Sequence, residues 1–148
     1  MIAAIPQPLR VVIADDHPAY RAALARVLRE NGIEVVAEAS NGESAISAVD
    51  ETAPDVIVMD LNMPGLSGLE ATRRLAEEAP STRVLVLSVS AQADDVGSVM
   101  EAGADGYVLK DGPFEEVVVG IRAAAAGHAM ISPRVLPSDL PDAGPSGA

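Results

Sequence analysis

The chain has 148 residues, one domain's worth, and a formal net charge of −12 from ten Lys plus Arg against twenty-two Asp plus Glu. A nucleic-acid surface needs clustered positive charge to displace phosphate counterions, so this segment is not expected to bind DNA or RNA by itself. Zero cysteines exclude disulfides and thiolate metal sites and are compatible with a reducing cytoplasm. The three aromatics, Tyr20, Tyr107 and Phe114, offer little for a flavin or an unpaired base to stack on. No apolar run reaches the ~18 residues of a membrane span, and the N-terminus has no export signal, so a soluble, cytoplasmic protein without a membrane partner is expected.

Strand and helix signals alternate five times along the chain. Leu9 to Ala14 is a short apolar run and predicts the first strand. His17-Pro18 then starts a helix, with Pro at the first turn where its missing N–H costs nothing, and Asn31-Gly32 ends it. Within it Ala23, Leu24, Val27 and Leu28 recur at helical spacing. Ile33 to Ala39 is the second strand candidate, and Ser40-Asn41-Gly-Glu43 is a capping signal for a helix to about Ala53. Asp55 to Met59, Arg83 to Ser88 and Gly106 to Leu109 predict three further strands. Leu66 to Ala79, Ala93 to Ala102 and Pro113 to Ala126 predict three further helices. Ile131 to Ala148, with four Pro, two Gly and three Ser, has almost no periodicity and reads as a linker or tail that leads on toward an absent domain. The division is therefore a tail over 1–8, a folded domain over 9–130, and the linker over 131–148.

Strand–helix alternation with short connections calls for right-handed crossovers between parallel strands, with helices on both faces: a doubly wound α/β fold. Ligands of such sheets bind outside the carboxyl ends of the strands. Asp15 and Asp16 follow the first strand and Asp60 the third, so all three acids reach one sheet edge, as do Ser88 and Lys110. One Asp after a strand often only caps the next helix. Three converging carboxylates repel one another unless a cation sits among them, and Mg²⁺ binds through a few carboxylates while keeping several waters. The pattern therefore points to a metal-dependent phosphate site. Lys110 is the chain's one lysine, and its place at the end of an apolar strand favours a functional role over a solvated one. His17, beside two aspartates, invites a metal-ligand reading, yet it starts the first helix and is taken as a neighbour of the site; His128 carries no signal.

The segments Asp15-Asp16, Asp60-Leu-Asn-Met-Pro64-Gly-Leu-Ser-Gly68, Leu87-Ser88 and Gly103-Ala-Asp-Gly-Tyr107-Val-Leu-Lys110 together resemble the receiver domain of two-component response regulators, over about residues 9 to 127. The wording Ala14-Asp-Asp-His-Pro18 and Ala102-Gly-Ala-Asp-Gly-Tyr-Val-Leu-Lys110 is similar to the NarL/FixJ-type subfamily, whose members usually carry a C-terminal helix-turn-helix domain; no basic helical pair follows Ala126 here. The resemblance implies a (βα)5 flavodoxin-like fold with a five-stranded parallel sheet in the order 2-1-3-4-5. It implies Asp60 as phospho-acceptor for a sensor histidine kinase, a carboxylate nucleophile that becomes an acyl phosphate. It places Mg²⁺ on Asp16, on Asp15 partly through water, on Asp60 and on the backbone carbonyl of Asn62. Lys110 would neutralise charge opposite the metal, and Ser88 would offer its hydroxyl to a phosphoryl oxygen. Ser88 and Tyr107 would form the switch: Ser88 is drawn toward the phosphoryl group and Tyr107 rotates into the space left. The output would be transcription control through a missing DNA-binding domain, and a homodimer through the first and last helices or the switch face is a further partner it allows.

Lys110 is followed by Asp111-Gly112-Pro113, so the cis Lys-Pro bond common in other receivers is absent, and Ser90, two residues after Ser88, leaves the lifetime of an acyl phosphate open. Three rival readings stand beside this one. A magnesium-dependent phosphohydrolase of the haloacid dehalogenase type would want a second acid where Asn62 stands. A flavodoxin-like nucleotide or flavin carrier would want a Gly-rich or hydroxyl-rich phosphate loop where Asp15-Asp16 stand. A receiver-like module that works without phosphorylation is the third, and the full set of site residues argues against it. The chain is read as a non-enzyme.

Overall fold

The computed structural model describes residues 7–90 and 92–133. Five strands, β1 (Arg10–Ala14), β2 (Glu34–Ala39), β3 (Val56–Asp60), β4 (Arg83–Ser88) and β5 (Gly106–Leu109), alternate with five helices, α1 (Pro18–Glu30), α2 (Gly42–Thr52), α3 (Gly68–Glu78), α4 (Ala93–Glu101) and α5 (Phe114–Ala125). A sixth strand, β6 (Met130–Ile131), follows them. All neighbouring strands pair in parallel, in the order β2-β1-β3-β4-β5-β6.

The apolar runs are continuous because both faces of the sheet are covered. Along β3, Val56 and Val58 turn to one face while Ile57 and Met59 turn to the other, and all four are fully buried. The first face packs on Leu24 and Leu28 of α1 and on Val117 and Ile121 of α5. The second packs on Ala45 and Val49 of α2, Leu75 of α3 and Val96 and Val99 of α4. Burying one such Leu or Ile side chain contributes about 1.5–3 kcal/mol. The core thus runs along the whole sheet on both sides, and only the strand ends are left for chemistry.

The sheet corrects the expected five strands to six. After α5 the chain turns at Gly127, whose φ of +85° is left-handed, and Met130 and Ile131 pair with Gly106 and Tyr107 on the open edge of β5. Ser132 N–H continues the ladder to the Tyr107 carbonyl at 2.8 Å, and the Ser132 hydroxyl donates to Glu116 Oε1 at 3.0 Å. Two residues have no hydrophobic period, and the pairing is made by backbone alone, so it had no signature in side chains. The rest of the stretch read as a linker, from residue 134, lies outside the described residues, as do residues 1–6 of the tail.

Helix starts follow their caps. Asn41, not Ser40, caps α2, its side chain accepting from Ser44 N–H at 2.8 Å. Ser67 caps α3, which therefore begins at Gly68 and not at Leu66. Gly68 also lets α3 close on the chain leaving β3, since a Cβ there would stand 2.6 Å from Leu61 Cα. At the other end of α2, Arg10 donates to the carbonyls of Thr52 and Ala53 at 2.7 and 3.0 Å, satisfying acceptors that have no partner within the helix.

Ala53 ends α2 in the left-handed region at φ +45°, the one non-glycine there among the described residues. A left-handed conformation strains any residue with a Cβ, and glycine relieves that strain at some cost in unfolded-state entropy. Ala53→Gly is expected to stabilise the fold by about 0.5–1 kcal/mol in urea unfolding. Equal or lower stability would show that Ala53 carries no strain worth relieving.

Candidate functional site

The carboxyl ends of β1, β3, β4 and β5 converge on one patch. Asp15 leaves β1 with its N–H on the Ala39 carbonyl at 2.9 Å, so the β1–β2 ladder runs one residue past the strand and fixes the turn. Asp60 is the last residue of β3, Ser88 the last of β4, and Lys110 follows β5 with its N–H on the Ser88 carbonyl at 2.8 Å. Asp15, Asp60 and Ser88 are buried, and the Lys110 side chain is only 11% exposed.

The Lys110 ammonium lies 2.7 Å from Asp15 Oδ2 and 3.0 Å from Asp60 Oδ2. Asp60 Oδ1 accepts from Asn62 N–H at 2.9 Å, which tightens the chain just past β3. Burial works against the charge on Lys110, but the hydrogen bonds and charges of Asp15 and Asp60 outweigh it and hold its pKa above the usual value. The ammonium also sits 4.6 Å from the centre of the Tyr20 ring, which in turn packs on Phe114 at 5.4 Å. Burial pushes the Tyr20 hydroxyl well above its ordinary pKa of 10.0, and the negative charges of Asp15 and Asp60 push it further.

Ser88 and Ser90 have separate positions. Ser88 Oγ ends the strand and accepts from Ser90 N–H at 3.0 Å, whereas the Ser90 hydroxyl turns to the Asp95 carboxylate. Tyr107 is fully buried, and its hydroxyl donates to the Ser90 carbonyl at 2.7 Å. The ring thus lies in the interior, with its hydroxyl at the segment after β4. Burial raises its pKa, with Asp95 adding to the effect and the Ser88 and Ser90 hydrogen bonds opposing it.

Two residues of the patch, Tyr20 and Arg21, were not singled out from sequence, and a third was placed only beside it. His17, taken as a neighbour, places Nδ1 3.1 Å from Asp15 Oδ1 and from Asp16 Oδ1, and 3.0 Å from Lys110 Nζ. Tyr20 supplies the surface beneath the lysine. Arg21 donates from its guanidinium to the Asp15 backbone carbonyl and pairs with Glu38 at 2.9 Å, tying α1 to the ends of β1 and β2. For Tyr20 and Arg21 the available signal was their position in the first turn of α1, three and four residues after His17.

The donor set fits a divalent cation. Asp15, Asp16, His17 and Asp60 each offer a ligand atom, all within 4.8 Å of one another. Three carboxylates against one ammonium leave an excess of two negative charges when His17 is neutral. Asp16 Oδ1 is buried and accepts no hydrogen bond. Oxygen ligands and an uncompensated buried oxygen are what a hard divalent ion requires.

Fold and patch define a receiver: the chain belongs to the response regulator receiver domain family, which it matches over residues 11–122. It is similar to the nitrate/nitrite response regulator protein NarL of Escherichia coli K12, 40% identical over 132 residues that cover 88% of this chain and 61% of that protein. It is 41% identical to the transcriptional regulatory protein DegU of Brevibacillus brevis, covering 86% of this chain and 54% of that one. The chain thus spans about three fifths or less of the length of these curated relatives. Among solved structures, a LuxR-family two-component response regulator from Aurantimonas sp. SI85-9A1 superposes with a TM-score of 0.82 at 37% identity, covering 86% of this chain and 92% of that one. The receiver domain of the putative regulator NarL from Mycobacterium tuberculosis superposes at 0.79 with 33% identity, covering 83% of this chain and all of that one. The NarL/FixJ-type resemblance drawn from residues 14–18 and 102–110 agrees with these relatives. No helix among the described residues is long and apolar enough to cross a membrane.

Two measurements test the electrostatics. Both tyrosines have folded pKa values raised above 10.0, so below pH 10 their contribution to stability is fully present, and it is lost as pH rises through the folded values. Tyrosinate absorbance of the folded chain is expected to stay low at pH 10, where the denatured chain is half ionised; equal ionisation in both would contradict the burial argument. Separately, Asp16→Asn removes a charge that no hydrogen bond compensates, and in EDTA it is expected to stabilise the fold by about 0.5–1.5 kcal/mol. A loss of stability there would mean that Asp16 is held by favourable contacts.

Proposed function

We propose that this chain is a phospho-accepting response regulator receiver, in which Asp60 takes a phosphoryl group from the phosphohistidine of a sensor histidine kinase. The observation that carries it is the setting of Asp60: a buried carboxylate at the end of a central strand, with Lys110 on one oxygen, Asn62 N–H on the other, and Asp15 and Asp16 alongside. A carboxylate oxygen of Asp60 forms the bond to phosphorus as the kinase P–N bond breaks, and the bonding pair leaves with the imidazole nitrogen. Asp15, Asp16, Asp60 and the Asn62 carbonyl would hold Mg²⁺, which when bound supplies positive charge to the phosphoryl oxygens and the attacking carboxylate. Lys110 brings its ammonium to the same oxygens from the opposite side, and Ser88 Oγ is placed to donate to one of them. The partial burial of Lys110 strengthens that interaction by reducing its screening by water.

Signalling would then pass through the segment after β4. Ser88 Oγ holds Ser90 N–H and Tyr107 holds the Ser90 carbonyl, so a change at Ser88 acts on the same residue that Tyr107 grips. Val89 between them is 64% exposed and would carry the change to the surface. A switch of this kind shifts an existing equilibrium by its differential contacts with the two states. The output we propose is transcription control in a longer cytoplasmic protein, as the names of the relatives suggest. A homodimer through α1 and α5, where Val119 is 55% exposed, is the second partner.

Incubation with acetyl phosphate and MgCl2, followed by intact mass measurement, is expected to show one added phosphoryl group that is labile to hydroxylamine. The adduct should be absent without Mg²⁺ and absent in Asp60→Asn. A chain that stays unmodified where a known receiver labels would support an interaction module that works without phosphorylation. Turnover of acetyl phosphate with no adduct would support a phosphohydrolase.

A further inference from the structure

We propose that His17 is a nitrogen ligand of the cation site, so that this receiver favours nitrogen-preferring divalent ions over Mg²⁺ more than an all-oxygen site would. The inference rests on the metal reading above and adds a donor that carboxylates and a backbone carbonyl do not supply.

Nδ1 lies 3.0 Å from Lys110 Nζ and 3.1 Å from Asp15 Oδ1, and the two contacts ask for opposite tautomers. An ammonium has three N–H donors and no lone pair, so the 3.0 Å approach of Lys110 Nζ to His17 Nδ1 is a hydrogen bond only when Nδ1 is the acceptor. The ammonium then lies among three acceptors, Asp15 Oδ2 at 2.7 Å, Asp60 Oδ2 at 3.0 Å and His17 Nδ1 at 3.0 Å. One of the three groups that receive it is an imidazole nitrogen.

With that tautomer, the 3.1 Å distances from Nδ1 to Asp15 Oδ1 and to Asp16 Oδ1 set acceptor against acceptor. Such pairs repel unless they share a positive ion. Two ligands at about 2.0–2.1 Å from an octahedral ion stand about 3 Å apart when adjacent and about 4.1 Å apart when opposite. The distances from Nδ1 are 3.1, 3.1 and, to Asp60 Oδ2, 3.9 Å. The two 3.1 Å distances match the spacing of adjacent ligands.

The local chain fixes this arrangement. His17 N–H donates to Asp15 Oδ1 at 2.7 Å, and Pro18 follows with a restricted φ, so the imidazole leaves a rigid turn. His17 is the residue that caps α1, yet its side chain makes no capping hydrogen bond. The ring is therefore not committed to the helix, and with 63% of the side chain exposed, Nε2–H can face water while Nδ1 faces the acids. Imidazole raises affinity along the series from Mn²⁺ through Co²⁺ to Ni²⁺, whereas an oxygen-only set suits Mg²⁺.

The test uses the full chain and two readouts. Electron spin echo modulation of the Mn²⁺-loaded protein is expected to show the ¹⁴N coupling of a directly bound imidazole in the wild type and in His128→Ala, the control for the only other histidine. The coupling should vanish in His17→Ala. By calorimetric titration with NiCl2 and MgCl2, His17→Ala is expected to lower the Ni²⁺-to-Mg²⁺ affinity ratio about tenfold while changing Mg²⁺ affinity less than about threefold. His17→Asn, a good helix cap with no imidazole, provides the same comparison if the alanine variant does not fold. Mn²⁺ bound without ¹⁴N coupling, or an unchanged affinity ratio, would overturn ligation by His17 and leave the metal site standing. No binding of either Mn²⁺ or Mg²⁺ would overturn both.

Discussion

The mutual repulsion of Asp15 and Asp60, two carboxylates buried at neighbouring strand ends, is the constraint on which the rest of the patch depends. Parallel pairing of β1 with β3 makes their proximity unavoidable, because the register that aligns Ala14 with Met59 brings the next residues side by side. Two such charges in a poorly screened setting are tolerated only with a cation between them, and the Lys110 ammonium holds that place. The lysine is itself positioned by the sheet, through its own N–H on the Ser88 carbonyl. Chemistry and fold are thus coupled through backbone pairing.

Much of this was legible in the chain. β1, β3, β4 and β5 could be read because each is a short apolar run closed by an acid, hydroxyl or lysine, as a strand buried on both faces is, whereas β2, an edge strand with Glu34 and Glu38, was read from its Val-Val pair and its flanking turns. Asp15, Asp16, Asp60, Ser88 and Lys110 could be placed on one edge because parallel strands with right-handed crossovers all point their carboxyl ends the same way. Boundaries moved by one or two residues where a cap decided them, as at Asn41 and Ser67, since several adjacent polar residues competed for each role.

What was not legible depends on backbone geometry. β6 is two residues long and pairs through main-chain groups, and Met130-Ile131 has no alternation that could announce it. The reach of His17 into the acids follows from the turn between β1 and α1, which no spacing rule supplies. Arg21 is similar: its guanidinium meets a carbonyl of Asp15, so the sequence shows only one arginine among several on α1. The inward setting of Tyr107 is likewise a matter of side-chain direction that position alone leaves open.

The placement of Lys110 has a practical consequence for handling the protein. It is the chain's only lysine, so amine-directed reagents have one ε-amine to find, and that amine is 11% exposed and engaged by two carboxylates. Dyes, cross-linkers and sensor-chip couplings that react with amines will therefore leave the patch intact in the folded protein. Any condition that opens the Lys110 cluster will expose its amine to reaction. The rate of a simple acylation reaction then becomes a local report on the integrity of the site, with no engineered probe required.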